Sequence, residues 1–313
     1  MTIKFKPAKR EGTHVLFGIA GPSRSGKTLS ALLISRGLVG DDKRIFVVDT
    51  EGGRALHYAC KEGEEPGPLR FKFQHGELHA PFSPEAYTEA LKAAVDAGAQ
   101  VVIVDSASHE HEGPGGILEM HAQEHERMGN REATKFAAWI KPKARHNQYI
   151  NTLLQLPVHL LFCFRAKDKM KMVKNEKGKM EPVNIGWTAI CPDRMEYEMA
   201  DLLLLEPGAS GVPSLELSNL FGGHRPFFPP GEPLGEEVGR KLAEWAAGGA
   251  SDAPKDWEPN PDTFAYFEDL LCRDLNPGEI KDIGKEIAER VGEMTDSQVD
   301  EIRALYKRVR EAT

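Results

Sequence analysis

Short unbroken apolar runs alternate with stretches of helical spacing over the first 249 residues of this 313-residue chain. HVLFGIA (14–20), RIFVVDT (44–50), VVIVD (101–105) and HLLFCF (159–164) each read as a buried strand. In them Val, Ile, Leu and Phe follow one another without the polar alternation of a strand that has one wet face. Helical patterns separate these runs: KTLSALLISRGL (27–38), a short segment around Ala55–Cys60, PEAYTEALKAAVDAG (84–98) and roughly residues 132–156. Parallel neighbours need such crossovers, so the predicted class is α/β, a mainly parallel sheet covered on both faces. Two later runs, ADLLLLE (200–206) and PSLELSN (213–219), lack intervening helices and are expected to add antiparallel strands at one edge.

The pattern changes near residue 250. The stretch AAGGASDAPKDWEPNPD (246–262) is rich in Gly, Ala, Pro and Asp and reads as a linker. Beyond it Ile280, Ile283, Ile287, Val291 and Met294 recur at helical spacing. Asn276-Pro277-Gly278-Glu279 supplies an N-cap, Pro at the first helical position and Glu at the third. Val299, Ile302, Leu305, Tyr306 and Val309 form the next stripe, opened by the capping box Thr295-x-x-Gln298. The expected organisation is a core over 1–249, a linker over 250–261 and a small three-helix module over 262–313. The module's stripes read as its own internal packing.

Composition narrows the class. With 40% hydrophobic and 28% charged residues, the chain matches a soluble globular protein rather than a disordered one. No run approaches the roughly 18 to 20 apolar residues a membrane helix needs, and the first residues carry no secretory apolar segment. No membrane partner is therefore expected. Cys60, Cys163, Cys191 and Cys272 are scattered without zinc spacing, so reduced thiols and a cytoplasmic location are the expectation.

Charge at first argues against a nucleic-acid partner, because 40 basic and 48 acidic residues leave a net of −8. Its distribution reverses the argument. Residues 1–249 hold 31 basic and 32 acidic side chains, a net of −1, and residues 250–313 hold 9 and 16, a net of −7. Within the core, RAKDKMKMVKNEKGK (165–179) carries seven basic and two acidic residues, a net of +5. Lys167, Lys169 and Lys171 alternate with Met170 and Met172, and Asn175-Glu176-Lys177-Gly178 offers a turn. A lysine-faced hairpin or a mobile loop fits this pattern.

The sharpest chemistry lies after the first strand. Gly21-Pro22-Ser23-Arg24-Ser25-Gly26-Lys27-Thr28 is a full Gly-x4-Gly-Lys-Thr loop between a strand and a helix. Glycines let the backbone curl its N–H groups onto phosphate oxygens, and the following helix adds its positive end. Lys27 is suited to the β- and γ-phosphates, and the Thr28 hydroxyl to Mg²⁺. ATP and Mg²⁺ are the cofactors implied, with Gly21, Pro22, Ser23, Arg24, Ser25, Gly26, Lys27, Thr28 and Leu29 as the nucleotide contacts. Asp105 ends its strand where a carboxylate can support the metal. Glu51 follows the second strand in Asp49-Thr50-Glu51-Gly52-Gly53, where it can orient and deprotonate an attacking water.

GPSRSGKT, DTEGG and VVIVDSAS, in that order, resemble the ATPase core of the RecA/RadA recombinases. More narrowly, GPSRSGKTLSALLI, DTEGGRALHYA, IVDSASHEHEGPGGILEMH, FAAW, RHN, FRAK and MEYE are similar to phage-encoded RecA-like ATPases, some of which anneal single strands. The resemblance implies a RecA-like core and makes Glu51 the catalytic base. It also implies a homo-oligomer, ring or filament, acting on single-stranded DNA in recombination, in the host cytoplasm, with a single-strand-binding or recombination protein as a further partner. Where a recombinase usually carries a glutamine that senses the γ-phosphate, this chain has Arg165, whose guanidinium suits a phosphate sensor or a finger for a neighbouring site. The basic segment falls where such proteins line their DNA channel. Lys167, Lys169, Lys171, Lys174, Lys177 and Lys179 are accordingly the expected phosphate contacts, non-specific and salt-sensitive. Phe5-Lys6-Pro7-Ala8 matches the Phe-x-x-Ala pattern by which recombinase subunits hook their neighbours, and Phe17–Ala20 matches it too, inside a predicted strand.

Several alternatives stand beside this reading. His109, His111, His121 and His125 lie close enough in sequence for a metal cluster, but no cysteine framework or HExxH supports one. His109, close behind Asp105, is better viewed as an active-site or polynucleotide contact, and Trp139 as packing. The phosphate loop alone also permits a small-molecule kinase, or a nucleotide-gated regulatory protein that works through its acidic tail.

Overall fold

Side chains of a strand face opposite sides in turn, and in the central sheet both sides are apolar. Phe17, Ile19, Leu161 and Cys163 point to one side, and Leu160, Phe162, Phe164 and Val102 to the other. All eight are buried, which is why these runs are continuous in sequence rather than alternating. The computed structural model describes residues 12–174, 180–248, 266–268, 270–271, 277–290, 294 and 296–312. The chain divides into two compact units, Met1–Ser251 and Asp252–Thr313.

The first unit holds an eight-stranded sheet of β1 (Leu16–Gly21), β2 (Ile45–Asp49), β3 (Gln74–Glu77), β4 (Val101–Asp105), β5 (His159–Lys174), β6 (Met180–Ala189), β7 (Asp201–Leu204) and β8 (Ser214–Leu220). The order across it is β3-β2-β4-β5-β1-β7-β8, with β6 paired to β5. Its first six strands are mutually parallel. One face is covered by α1 (Lys27–Val39) and α7 (Glu236–Ala246), the other by α2 (Pro84–Asp96) and α5 (Ile140–Leu153). The expected α/β class with a mostly parallel sheet is what the chain forms.

Three local expectations need correction. β7 runs parallel to β1, pairing Phe17 with Asp201, because the helix α6 (Asp193–Glu198) reverses the chain before it. Of the two later runs only β8, which follows β7 after residues 205–213, is antiparallel to its neighbour. β3 was not foreseen. Its sequence, QHGE, has no apolar run, and it holds the sheet edge through parallel pairing with β2 alone. The helical reading of 132–156 begins too early: 132–134 and 137–139 form single turns, and the continuous helix starts at Ile140.

Helices α1 and α7 cross at two glycines. A Cβ on Gly37 would stand 2.0 Å from the Glu236 carbonyl oxygen, and one on Gly239 would stand 2.1 Å from that of Ile34. Only glycine permits this approach, and it seats α7 against the helix that carries the phosphate loop.

In the second unit, α8 (Pro277–Arg290) and α9 (Asp296–Ala312) carry the apolar stripes read in the sequence. Ile283, Ile287, Met294 and Ile302 pack with Phe267 and Leu271, and Val299, Leu305, Tyr306 and Val309 lie against them. Phe5–Ala8, the linker 250–261, Asn276, Val291 and Thr295 lie outside the described residues.

Candidate nucleotide site

The carboxyl ends of the parallel strands β1, β2, β4 and β5 bring the candidate residues together, as expected of an open α/β sheet. Gly21 ends β1. Gly26, at φ 104°, precedes α1 without any side-chain cap, so the first N–H groups of the helix are left for a ligand. A loop seats this turn: the Gly211 N–H donates to the Ser25 carbonyl at 2.8 Å, and a Cβ on Gly26 would meet Gly211 N at 2.6 Å. The Ser25 hydroxyl is fully buried and donates to the Pro22 carbonyl at 2.9 Å, so it shapes the loop instead of facing the cleft. Leu29 packs into the core.

A cleft of about 800 Å³ opens over the loop. Pro22, Ser23, Arg24, Gly26, Lys27 and Thr28 line one side, and Glu51, Asp105 and Arg165 close it. Lys27 Nζ donates to the carbonyls of Gly21 and Pro22 at 2.9 and 2.8 Å, with no ion pair among the described residues. The Thr28 hydroxyl donates to Asp105 Oδ2 at 2.5 Å. Burial pushes the Asp105 carboxyl up to about 6, opposed by the Thr28 bond and the Lys27 charge. A lysine held only by carbonyls, free helix N–H groups and a hydroxyl–carboxylate pair of hard oxygen donors fit a nucleotide phosphate with Mg²⁺.

Glu51 has both carboxylate oxygens occupied. Arg165 Nε and Nη2 donate to Oε1 at 2.9 and 2.7 Å, and Arg54 Nη1 donates to Oε2 at 2.9 Å. The carboxylate is nearly buried while the Arg165 side chain is 42% exposed, so the arginine is the partner free to move. Arg165, expected to meet phosphate, thus sits on the candidate base. Arg54, His57, Tyr58, Trp187 and Ile190 also line the cleft; the first three lie in the DTEGGRALHYA segment, but no sequence pattern assigned any of the five a role.

Behind Glu51 a polar network ties β2 to β4. The Thr50 hydroxyl donates to the Ser106 carbonyl at 3.0 Å and accepts from the Ser106 N–H at 2.8 Å. His109 Nδ1 lies 2.8 Å from the same hydroxyl. Since Thr50 has given its one proton to Ser106, His109 donates through Nδ1. Its ring stacks on Phe82 at 4.8 Å, and burial, then the Arg165 charge, holds its pKa below the ordinary value. His109 is therefore a neutral member of the wall behind the site.

Of the remaining histidines, His121 and His125 on α4 (Ile117–Arg127) stack on each other at 6.0 Å and His121 stacks on Trp139 at 4.0 Å, while His111 lines a separate cavity. No group of three or more His, Cys, Asp or Glu side chains suited to a metal occurs among the described residues. Lys167 and Lys169 stand on β5 just past Arg165 and line a second cavity. The backbones of Lys171 and Lys174 continue β5, their side chains lying outside the described residues together with Lys177 and Lys179.

A glycine-rich phosphate loop between strand and helix, backed by Asp105 on a neighbouring parallel strand, defines a P-loop nucleotide-binding protein of the ATPase kind. Within that class the chain belongs to the AAA domain family, whose match spans residues 14–202 and takes in every residue of the cleft. No curated protein matches the chain. No helix among the described residues is long and apolar enough to cross a membrane.

Proposed function

We propose that this AAA-domain protein is a Mg²⁺-dependent ATPase of RecA-like organisation that assembles as a homo-oligomer on single-stranded DNA. Its task would be annealing or strand pairing in phage-type recombination. One observation carries the reading: β5 passes from Arg165, bonded to Glu51 in the cleft, directly into the basic hairpin. The same strand therefore touches both the candidate base and the candidate phosphate contacts.

Lys27 and the α1 N-terminus would hold the β- and γ-phosphates, and Thr28 with Asp105 would hold Mg²⁺. The metal would supply charge neutralisation to the phosphate oxygens. Glu51 takes a proton from the attacking water once Arg165 turns away from Oε1, for which an incoming phosphate competes. Lys167 and Lys169 neutralise DNA phosphates without reading sequence. A strand bound there pulls on β5 two residues from the guanidinium, which couples DNA to the freedom of Glu51.

Charge reversal at Lys167 and Lys169 tests the reading. Binding of single-stranded oligonucleotide is expected to weaken at least tenfold at low salt. Its logarithmic salt dependence should flatten by about 0.7 for each DNA phosphate that is no longer neutralised. ATP affinity should stay within about twofold. Oligonucleotide affinity and turnover both indifferent to the reversal would contradict the proposal.

A further inference from the structure

Beside the nucleotide cleft lies a second cavity of about 280 Å³, and Trp187 and Ile190 form part of both walls. It sits at the root of the basic hairpin, where the paired strands β5 and β6 meet residues of α3 (Ser108–Glu112), α6, β7 and β8. Its chemistry is unusual for so small a space. Lys167 and Lys169 stand on one side and Asp193 and Glu196 on another, yet none of the four makes an ion pair among the described residues. His111 Nδ1 is buried there with no hydrogen-bond partner. The four charged side chains on the wall, without ion partners among the described residues, are the groups a ligand would satisfy.

The field inside is mixed. Burial, then Glu196 and Asp193, pushes the Cys191 thiol up to about 12. Burial also holds His111 below its ordinary value, with Glu112 opposing, Lys167 reinforcing and Asp193 opposing. The imidazole is thus neutral at neutral pH, with one N–H and one acceptor nitrogen. A ligand that satisfies these groups together needs an anion for the lysines, a flat apolar face for the indole and N–H donors for the carboxylates.

We infer that the cavity seats one base of a single strand, stacked on Trp187, with its exocyclic amino group on Asp193 or Glu196 and its phosphates on Lys167 and Lys169. This rests on the single-stranded DNA reading above and adds a base preference to it. Cytosine carries an exocyclic amino donor of the kind carboxylates accept, whereas thymine's exocyclic groups are two carbonyls and a methyl, leaving the ring N3–H as its one donor. Two carboxylates facing those carbonyls gain no hydrogen bond. Stacking alone tolerates every base, so a preference would come from the acids.

Anisotropy titrations of full-length protein with labelled oligo(dC) and oligo(dT) of equal length, at neutral pH and fixed salt, test this. Oligo(dC) is expected to bind about fivefold tighter or more. In the double variant Asp193→Asn, Glu196→Gln that ratio should fall towards one, while affinity for oligo(dT) holds or rises. A purely electrostatic role for the acids would raise both affinities together and keep the ratio, which would overturn the inference. Equal binding by the wild type would overturn it too, while leaving the single-strand reading intact; no binding of either oligonucleotide would sink both. Tryptophan fluorescence is an independent readout. Quenching by oligo(dC) should be largely lost in Trp187→Phe, which keeps an aromatic wall, and quenching that persists in this variant would contradict the stacking geometry.

Discussion

At the scale of single residues, the site combines groups with chemically obligatory identities and groups without them. Lys27, Thr28, Asp105 and Glu51 were legible as candidates, because the proposed phosphate, metal and water contacts each call for a particular functional group, and all four line one cleft. Arg54 was not, since an arginine three residues past a glutamate is ordinary until a short turn brings it onto Oε2. Arg165 was legible as a candidate but not in its partner, Glu51. Its bond to Glu51 depends on β2, β4 and β5 standing side by side in the sheet, a long-range fact. Lys27→Ala should lose ATP binding by equilibrium dialysis or fluorescence. Glu51→Gln should retain ATP affinity within a few-fold and lose turnover by about 10²–10⁴-fold, the range a positioned general base contributes. Full-rate hydrolysis by Glu51→Gln would show that another group takes the proton.

At the scale of elements, apolar runs identified buried strands well and edges badly. β1, β2, β4 and β5 announce themselves because both their faces are dry. β3 is polar and short, and only its hydrogen bonds to β2 make it a strand. The direction of β7 turned on α6, six residues whose helical character no periodicity could reveal. The glycines at the α1–α7 crossing were visible in sequence but had no partner to explain them. Gly239→Ala should cost about 1–3 kcal/mol in denaturant unfolding. It should also weaken ATP binding, because α1 cannot shift without moving Lys27 and Thr28.

A second element-scale prediction concerns the start of β5. His159 Nδ1 accepts the Val15 N–H at 3.1 Å, and burial, then His14, lowers its pKa from 6.5 to about 4. Between those values the unfolded chain binds a proton that the folded chain refuses, so this contribution to stability is lost as pH falls. Asp105 acts in the opposite sense between 3.8 and about 6, where the folded chain keeps a proton that the unfolded chain has shed. The comparison of wild type with His159→Gln separates the two. From pH 7 to 5 the wild type should lose about 1–2 kcal/mol more than the variant. Equal losses would mean that His159 titrates normally.

For the whole molecule, net charge hides the distribution on which the proposed partner rests. The −8 resolves into a core at −1 bearing a +5 segment and a tail at −7. The segment's path as the β5–β6 hairpin follows from its Lys/Met alternation, whereas the cavity at its root does not. That cavity needs α3, α6, β7, β8 and the hairpin assembled together. If strand binding and hydrolysis are linked through β5, their linkage must share the salt dependence of the lysine contacts. The most direct test of that link is ATP turnover in Mg²⁺, with and without single-stranded DNA, across a salt series. Turnover should rise on adding the strand at low salt, and the stimulation should fade as salt releases it, while basal turnover changes little. Turnover unchanged by single-stranded DNA at every salt concentration would contradict the coupling and leave a P-loop ATPase with some other partner.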